Sequence, residues 1–312
     1  MRDITVVNLN PCLDWTWHIG DFTHGGTNRV QSSRSDAAGK GINVAMALKN
    51  LGASPLCLGF NFRENGNKIT EKLDANHIKH DFITAEGALR VNIKLYDHTS
   101  TMTEINQPGG YVSPALQDAL FQKILAHNKK EGILVLSGSY PAGITPDFYA
   151  RLCEAWQGEV AVDAFGEALR LAVESKNPPH FIKPNLDELE KTFNVKLTTQ
   201  AEIDAFCREQ LVEKGVNAVC VSMGAEGALM VSKISSEFAP AFPLEIKSLQ
   251  GAGDAMVAGF VYAMATGHNR LQYAMAAAAA TITKEGTLMC DREGFERILK
   301  TQPHSPPHAS VT

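Results

Sequence analysis

ILVLSG (residues 133–138), EVAVDA (159–164) and HFIKPN (180–185) are three apolar runs, each about as long as one buried β-strand. Candidate helices lie between most runs of this kind along the chain. The further runs are ITVVNLN (4–10), SPLCLG (54–59) and NAVCVSM (217–223). Repeated strand–helix–strand spacing predicts an α/β fold with a central, mostly parallel sheet and helices on both of its faces.

Two helices can be placed from the spacing of apolar residues. From Ile42 to Leu51 an apolar side chain recurs at every third position, and Gly52 then supplies a stop, so the pattern predicts a helix over residues 41–51. A second helix is predicted over residues 67–75.

One region departs from this pattern. LRVNIKLYD (89–97) alternates between apolar and polar side chains, which is typical of a half-exposed strand, and TMTEIN (101–106) can pair with it across a turn. The segment 15–34 is also poor in helix signals. These stretches predict a small antiparallel β-sheet, a lid formed by about residues 12–36 and 88–108 and inserted into one α/β domain.

The α/β domain with its lid is predicted to span residues 1–300. The last dozen residues, 301–312, carry three prolines and no periodicity, so they are predicted to be a disordered tail.

Composition excludes several classes of protein. The 312 residues are 44% hydrophobic and carry a formal net charge of −5, which argues against a disordered chain and against a broad nucleic-acid surface. The longest run of low polarity, residues 255–265, is too short to cross a bilayer, and the first residues do not resemble a signal peptide. The six cysteines form no C-x-x-C pair. We therefore expect a cytoplasmic protein with no nucleic-acid or membrane partner.

GAGD, residues 251–254, is the strongest local signal for chemistry. Its two glycines lead directly into an apolar helix, whose first backbone N–H groups would form an anion site. Asp254 could take a proton from a hydroxyl there, and its position at a helix start predicts that it stays ionised. An ordinary helix cap is an equally good interpretation from residue type alone.

Two further motifs are weaker. Lys40 lies between Gly39 and Gly41 at a helix start, which suits an anionic or hydroxyl-rich ligand, although a solvated lysine at a turn is the commoner case. Asp14, in NPCLD after the first strand, would lie at the carboxyl end of the sheet, where it could accept hydrogen bonds from two sugar hydroxyls. A turn aspartate is its ordinary alternative.

Two motifs follow later strands. In KPNLDE (183–188), Asn185 and Glu188 have a spacing that can hold hydrated Mg²⁺, but Asn185 is also a good helix cap. SMGAEG (222–227) offers two glycines for a phosphate loop or for a tight turn.

In this order the motifs are similar to the signature series of one family, the ribokinase-like sugar kinases. The resemblance covers about residues 8–297 and is strongest to the branch of 1-phosphofructokinases and tagatose-6-phosphate kinases. The motifs are NPCLD, GKGINVA, GSYPAG, KPNLDE, SMGAEG and GAGD, with Asn28–Arg29–Val30 and the Arg90 strand as details of the branch.

The resemblance implies a kinase that uses ATP and Mg²⁺ to phosphorylate a hexose phosphate, first of all fructose 1-phosphate. It implies that Asp254 is the general base and that the amides of Gly251, Ala252 and Gly253 form the anion hole. The implied sugar-phosphate ligands are Asp14, Gly39, Lys40, Asn43, Arg90 and Arg29. The implied nucleotide ligands are Lys183, Asn185, Ser222, Gly224 and Gly227, with Glu188 and Asn185 holding the metal through water.

Alternatives stay open at this point. A kinase of tagatose 6-phosphate or fructose 6-phosphate is hardly separable by sequence, and a kinase of an unphosphorylated sugar or nucleoside is the next alternative. A non-catalytic sensor should have lost Asp254 or a glycine of GAGD, and an oxidoreductase should show G-x-G-x-x-G after the first strand; neither holds. Exposed strands at residues 89–106 also suggest a homodimer through the lid.

Overall fold

A nine-stranded sheet forms the centre of the structure, a computed structural model that describes residues 1–99 and 101–301. Its strand order is β13-β12-β11-β10-β9-β8-β1-β4-β5, and every neighbouring pair from β11 to β5 is parallel, whereas β12 and β13 are antiparallel additions. These strands are β1 (Ile4–Asn8), β4 (Leu56–Glu64), β5 (Lys79–Ala88), β8 (Ile133–Ser137), β9 (Glu159–Asp163), β10 (Phe181–Ile182), β11 (Ala218–Ser222), β12 (Gly227–Ser232) and β13 (Ser236–Pro240). The predicted α/β fold is confirmed.

The helices connect the parallel strands. They are α1 (Lys40–Asn50), α2 (Asn67–Ala75), α3 (Pro114–Leu125), α4 (Phe148–Ala155), α5 (Gly166–Val173), α6 (Leu186–Phe193), α7 (Gln200–Cys207), α8 (Ala252–Thr266), α9 (Arg270–Ile282) and α10 (Arg292–Thr301). The two helices placed from sequence are α1 and α2, within one residue of their predicted bounds. Within the described parts of the chain, every helix is too short or too polar to cross a membrane.

The run HFIKPN contributes less strand than its length suggests. Only Phe181 and Ile182 pair with β9 and β11, because Pro184 has no N–H to donate and the chain then turns into the cap of α6 at Asn185. The strand therefore ends early and leaves Lys183 at the carboxyl edge of the sheet.

A separate four-stranded sheet has the order β3-β2-β6-β7 and consists of β2 (Cys12–Ile19), β3 (Val30–Ala38), β6 (Arg90–Tyr96) and β7 (Met102–Asn106). We call it the lid sheet. The predicted pairing of β6 with β7 is correct, but the prediction that the sheet is antiparallel is wrong for β2 and β6, which run parallel. Parallel pairing is possible because the chain between them passes through the main sheet and returns.

Helix α8 is almost wholly buried and packs directly on the main sheet. The rings of Phe260 and Phe181 stack with centroids 3.4 Å apart, so the helix lies across β10. On its other side Gly259 lets α9 approach closely, since a Cβ there would lie 2.3 Å from the carbonyl oxygen of Tyr273. The helix and its N-terminus are thus held rigidly at the carboxyl edge of the sheet.

The predicted tail lies, from residue 302 onward, outside the described residues. The six cysteines are all buried and free.

Candidate active site

Asp254 is the third residue of α8, and its side chain is buried. The N-cap of the helix is Gly251, so Asp254 is not the helix cap that residue type alone allowed. Its Oδ2 instead accepts a hydrogen bond of 2.8 Å from Nδ2 of Asn43, on α1. Two residues that are 211 positions apart in the chain are thus joined at one point.

The backbone at Gly251 explains why a glycine precedes this carboxylate. Its φ is 74°, in the left-handed region, and a Cβ there would lie 2.2 Å from Cε of Met289. At Gly253 a Cβ would lie 3.4 Å from Nζ of Lys183, so the lysine ammonium lies beside the first turn of α8. The first turn of α8 therefore has a cation beside it at Gly253, while the amide of Ala252 donates to the carbonyl oxygen of Leu249 at 3.4 Å.

Asp163 is a second buried carboxylate, and it lies between two lysines. Its Oδ2 is 3.3 Å from Nζ of Lys40, and its Oδ1 is 3.3 Å from Nζ of Lys183. Burial opposes its ionisation, but the charges of the two lysines outweigh burial and hold the pKa of Asp163 below its usual value. The negative charge of Asp163 in turn raises the pKa of Lys40, so Lys40 is present as a cation.

Burial has the opposite outcome at Asp254. It raises the pKa of Asp254 to about 6; the charge of Lys40 and the hydrogen bond from Asn43 oppose this rise, and the charge of Asp163 adds to it. With this pKa the carboxylate is still mostly ionised at pH 7, as its position at a helix start predicted, although its proton affinity is higher than that prediction implied. Desolvation outweighs the helix dipole, and the result is a carboxylate that is mostly ionised at pH 7 but a better proton acceptor than a surface aspartate.

Asp14 lies on β2 in the lid sheet, and three donors surround its carboxylate. Its Oδ1 accepts from Nδ2 of Asn92 at 3.1 Å and from the thiol of Cys12 at 3.3 Å, while its Oδ2 accepts from Nζ of Lys94 at 2.8 Å. Burial raises the pKa of the Cys12 thiol, which keeps it a donor. Since Oδ1 already has two partners, the carboxylate has room for one further hydroxyl at Oδ2, not for two as the sequence suggested.

Arg90 begins β6 and lines a cavity of about 320 Å³ together with Gln107, Pro108 and Gly109. Its guanidinium donates to Oδ1 of Asn92 at 3.1 Å and to the carbonyl oxygen of Gln107 at 3.2 Å. These bonds hold the Arg90 guanidinium beside the cavity, and because both acceptors are neutral they leave its positive charge unbalanced. Such a group suits a phosphate ligand.

Arg29 is not brought to this site within one chain. It is exposed and precedes Val30, which pairs with Ile19, whereas Asp14 pairs with Asp36. At the rise of a strand, the five residues from Asp14 to Ile19 span roughly 17 Å. The side chain therefore lies at the far end of the lid sheet.

The residues expected on the nucleotide side are placed unevenly. Asn185 caps α6 and forms a capping box with Glu188, so both side chains stabilise the start of this helix. Glu188 Oε1 also lies 3.7 Å from Nζ of Lys40. Ser222 lies next to Asn185 across an isolated bridge. A Cβ at Gly224 would meet open space, as a ligand loop needs.

Gly227 has a structural reason for being glycine. A Cβ there would lie 2.1 Å from the carbonyl oxygen of Ala239 on β13, so the hairpin itself excludes a side chain. Gly39 is constrained in a similar way, because a Cβ would lie 2.7 Å from Oδ1 of Asn8.

Sequence reasoning missed Asp163, Lys94, Asn92 and the role of Gln250. Asp163 had a usable signal, because it is the polar residue that ends an apolar strand. Lys94 and Asn92 had a weaker one: they occupy the polar face of the alternating strand, but alternation does not say which face covers a cleft.

The comparisons agree with this geometry. Residues 7–293 match the pfkB family carbohydrate kinases. The 1-phosphofructokinase of Borreliella burgdorferi is 34% identical over 304 residues, which cover 95% of this chain and 96% of the relative. The crystal structure of phosphofructokinase-2 from Escherichia coli in complex with fructose-6-phosphate superposes with a TM-score of 0.87 at 26% identity, over 96% and 98% of the two chains. A ribokinase from Thermotoga maritima, 21% identical over 96% of this chain and 100% of its own, shares the fold at a TM-score of 0.79.

The chain therefore belongs to the pfkB family of carbohydrate kinases and has the ribokinase-like fold. The resemblance inferred from the motifs is confirmed, and the protein is a carbohydrate kinase.

The pKa of Asp254 predicts a pH-dependent effect of its replacement on stability. Because the folded-state pKa is raised from 3.8 to about 6, the native state binds this proton more tightly than the unfolded chain, and Asp254 loses favourable free energy as pH rises through that window. Asp254→Asn removes an ionisation that costs about 3 kcal/mol at pH 8. We expect the variant to be more stable than the wild type at pH 8 and equal to it below pH 4, measured by urea unfolding.

Asp3→Asn is the control for that measurement, since Asp3 forms a surface ion pair with Lys129 and its pKa is lowered. It should gain no stability at pH 8. A wild type as stable as Asp254→Asn at pH 8 would contradict the raised pKa.

Proposed function

We propose that this protein transfers the γ-phosphoryl group of ATP to the free hydroxyl of a hexose phosphate, first of all C6 of fructose 1-phosphate, with fructose 1,6-bisphosphate and ADP as products. One observation carries the proposal: Asp254, Lys40 and Lys183 meet around the N-terminus of α8, and they do so beside Asn43. A base and an anion hole within one small volume are what hydroxyl phosphorylation needs.

The chemistry follows from the placement of these groups. The hydroxyl oxygen attacks the γ-phosphorus, its proton passes to Asp254 Oδ, and the bond from the γ-phosphorus to the bridging oxygen of ADP breaks. The amides at the start of α8, with Lys183 beside them, stabilise the charge on the transferring oxygens. Lys40 balances the two carboxylates so that Asp254 is ionised before the sugar binds.

The oxygen donors at this edge of the sheet suit Mg²⁺, which prefers carboxylate oxygens and retains water. Glu188, with Asn185 beside it, would hold the ion through water, and bound Mg²⁺ would neutralise phosphate charge. In the described residues no three His, Cys, Asp or Glu side chains cluster as a metal cage, which agrees with a site completed by nucleotide phosphates and water.

Two side chains of the lid sheet are proposed for the sugar phosphate. Asp14 Oδ2 has room for one sugar hydroxyl, and Arg90 faces the adjacent cavity, where it would bind the phosphate already on the sugar. Gly39 and Lys40 would lie along the sugar between them. Ser222 and Gly224 are proposed for the nucleotide, and Gly227 would only shape that loop.

Fructose 6-phosphate is the second candidate substrate, because phosphofructokinase-2 of Escherichia coli, which superposes closely, was crystallised with it. Tagatose 6-phosphate follows from the branch resemblance alone. A panel of the three hexose phosphates, fructose and ribose with ATP and Mg²⁺, scored by ADP release, separates them. We expect the highest kcat/KM for fructose 1-phosphate, and turnover of the free sugars alone would contradict the proposal.

Arg90→Ala tests the phosphate-binding role within that panel. Loss of a charge-assisted hydrogen bond should lower kcat/KM for the preferred hexose phosphate about 10- to 100-fold, mainly through KM. Arg63→Ala is the matched control, because Arg63 is exposed and pairs with Glu86; it should leave kcat/KM unchanged. Equal effects of the two variants would exclude Arg90 from the phosphate site.

Asp254→Asn tests the base. We expect kcat to fall about 10²- to 10⁴-fold, since the amide cannot accept the hydroxyl proton. In the wild type, kcat/KM should decline below about pH 6 in proportion to the ionised fraction of Asp254. Near-wild-type turnover by the variant would overturn the mechanism.

A homodimer through the lid sheet is part of the proposal. The strand register places Trp15, Trp17, Ile93 and Ile105 on the face opposite Asp14 and Lys94, and Ile105 is 54% exposed. An apolar face of this kind is best covered by a second copy.

Ile105→Glu should shift the wild-type dimer to a monomer in sedimentation velocity at micromolar concentration. Ile234→Glu, at a 93% exposed site in the turn between β12 and β13, is the control and should remain dimeric. A monomeric wild type would refute this pairing.

A further inference from the structure

Lys94 is a lysine that the lid sheet buries on its cleft face, with 8% of its surface exposed. Its Nζ donates to Asp14 Oδ2 at 2.8 Å and to Gln250 Oε1 at 3.0 Å. A buried ammonium without such partners would cost several kcal/mol, so both acceptors are needed to keep it in place. Asp14 belongs to the lid sheet, whereas Gln250 lies in the turn directly before α8.

Gln250 is the residue immediately before Gly251, the N-cap of α8. Both ends of its side-chain amide are used: Oε1 accepts from Lys94, and Nε2 donates to the hydroxyl oxygen of Tyr96 at 3.2 Å. Lys94 and Tyr96 are alternate residues of β6 and therefore share a face. Side-chain hydrogen bonds thus join the lid sheet to the loop that precedes α8.

This cross-link bears on the geometry of the reaction. Asp14 lies in the lid sheet, and Asp254 lies on α8, which packs against the main sheet. Among the described residues, no pair of hydrogen-bonded strands joins the two sheets. A sugar held by Asp14 must still present its hydroxyl to Asp254 within hydrogen-bond reach. Side-chain contacts between the lid sheet and the loop before α8 therefore help to set that distance, together with the short chain connections from β1 to β2 and from β3 to α1.

We propose that Lys94 is a positioning residue that aligns the sugar-binding carboxylate of Asp14 with the start of α8 through Gln250. The proposal rests on the hexose-phosphate kinase function given above. Lys94 does not contact the reacting atoms in this role. Its hydrogen bond to Asp14 orients that carboxylate, and its hydrogen bond to Gln250 fixes the position of the lid sheet relative to the GAGD loop.

The two bonds should have separable kinetic effects. The bond to Asp14 lies within the sugar-binding sheet, so its loss should raise KM for the hexose phosphate. The bond to Gln250 joins the sugar site to the anion hole, so its loss should lower kcat. Neither bond reaches the nucleotide residues, and KM for ATP should therefore stay constant, which a general loss of structure would not allow.

A double-mutant cycle tests the cross-link. Lys94→Met should lower kcat/KM for the preferred hexose phosphate about 10- to 100-fold, and Gln250→Ala about tenfold, as expected for bonds to a charged group. Because both substitutions break the Lys94–Gln250 bond, the double variant should lose clearly less than the product of the two single effects; Gln250→Ala also removes the bond to Tyr96, so a small additional loss is expected. Lys68→Met, at an exposed position of α2, is the matched control and should match the wild type.

If Lys94→Met does not fold, Gln250→Ala tests the proposal by itself, because Gln250 is only half-buried and its replacement should be tolerated. In that variant kcat should fall about tenfold, and KM for the hexose phosphate should stay unchanged. Effects of the two substitutions that multiply, in an active wild type, would overturn the inference and leave the proposed function standing. A wild type that phosphorylates none of the hexose phosphates would overturn both.

Discussion

The pairing of Asp163 with Lys40 and Lys183 is the interaction on which the rest of the site depends. Asp163 ends the strand β9, and its side chain is buried. Without neighbouring cations this carboxylate would be protonated, because the free-energy cost of removing the charge from water exceeds the gain from one hydrogen bond. The two lysines arrive from different elements, one at the start of α1 and one just after β10. Their meeting at Asp163 fixes the carboxyl edge of the sheet as a place where charge is concentrated and ordered.

Asp254 owes its properties to the same arrangement. Burial alone would push its proton affinity higher, and Lys40 limits that rise, so that the carboxylate has a pKa of about 6. The helix that carries it is packed on both sides, by Phe181 and by α9. A base held on a rigid helix with a tuned proton affinity can act without first reorganising its surroundings.

The lid sheet follows a different principle, since its cleft face carries charged and amide side chains, whereas its opposite face carries Trp15, Trp17 and Ile93. The polar face is not solvated in the ordinary way: Asn92 and Lys94 are used to orient Asp14, and Gln250 reaches across from the GAGD loop. A buried polar network of this kind is favourable only when nearly every donor and acceptor is paired. Here the pairing also joins the lid sheet to the loop that precedes α8.

The sequence by itself determined the main sheet, the alternating lid strand and the glycine-containing turns before helices. Apolar periodicity and glycine positions are local features of the sequence, so they can be recognised without knowledge of tertiary contacts. It also placed Asp254 and Lys40 at helix starts and Arg90 on a lid strand, but Asp14, which it predicted at the carboxyl end of the sheet, lies within β2 of the lid sheet. Only the tertiary structure decided which way the lid strands pair, that Arg29 lies far from Asp14 within one chain, and that Lys94 and Asp163 are buried among charges. Those outcomes depend on which surface covers a residue, and burial by a distant part of the chain, not local pattern, sets hydrogen-bond partners and proton affinity.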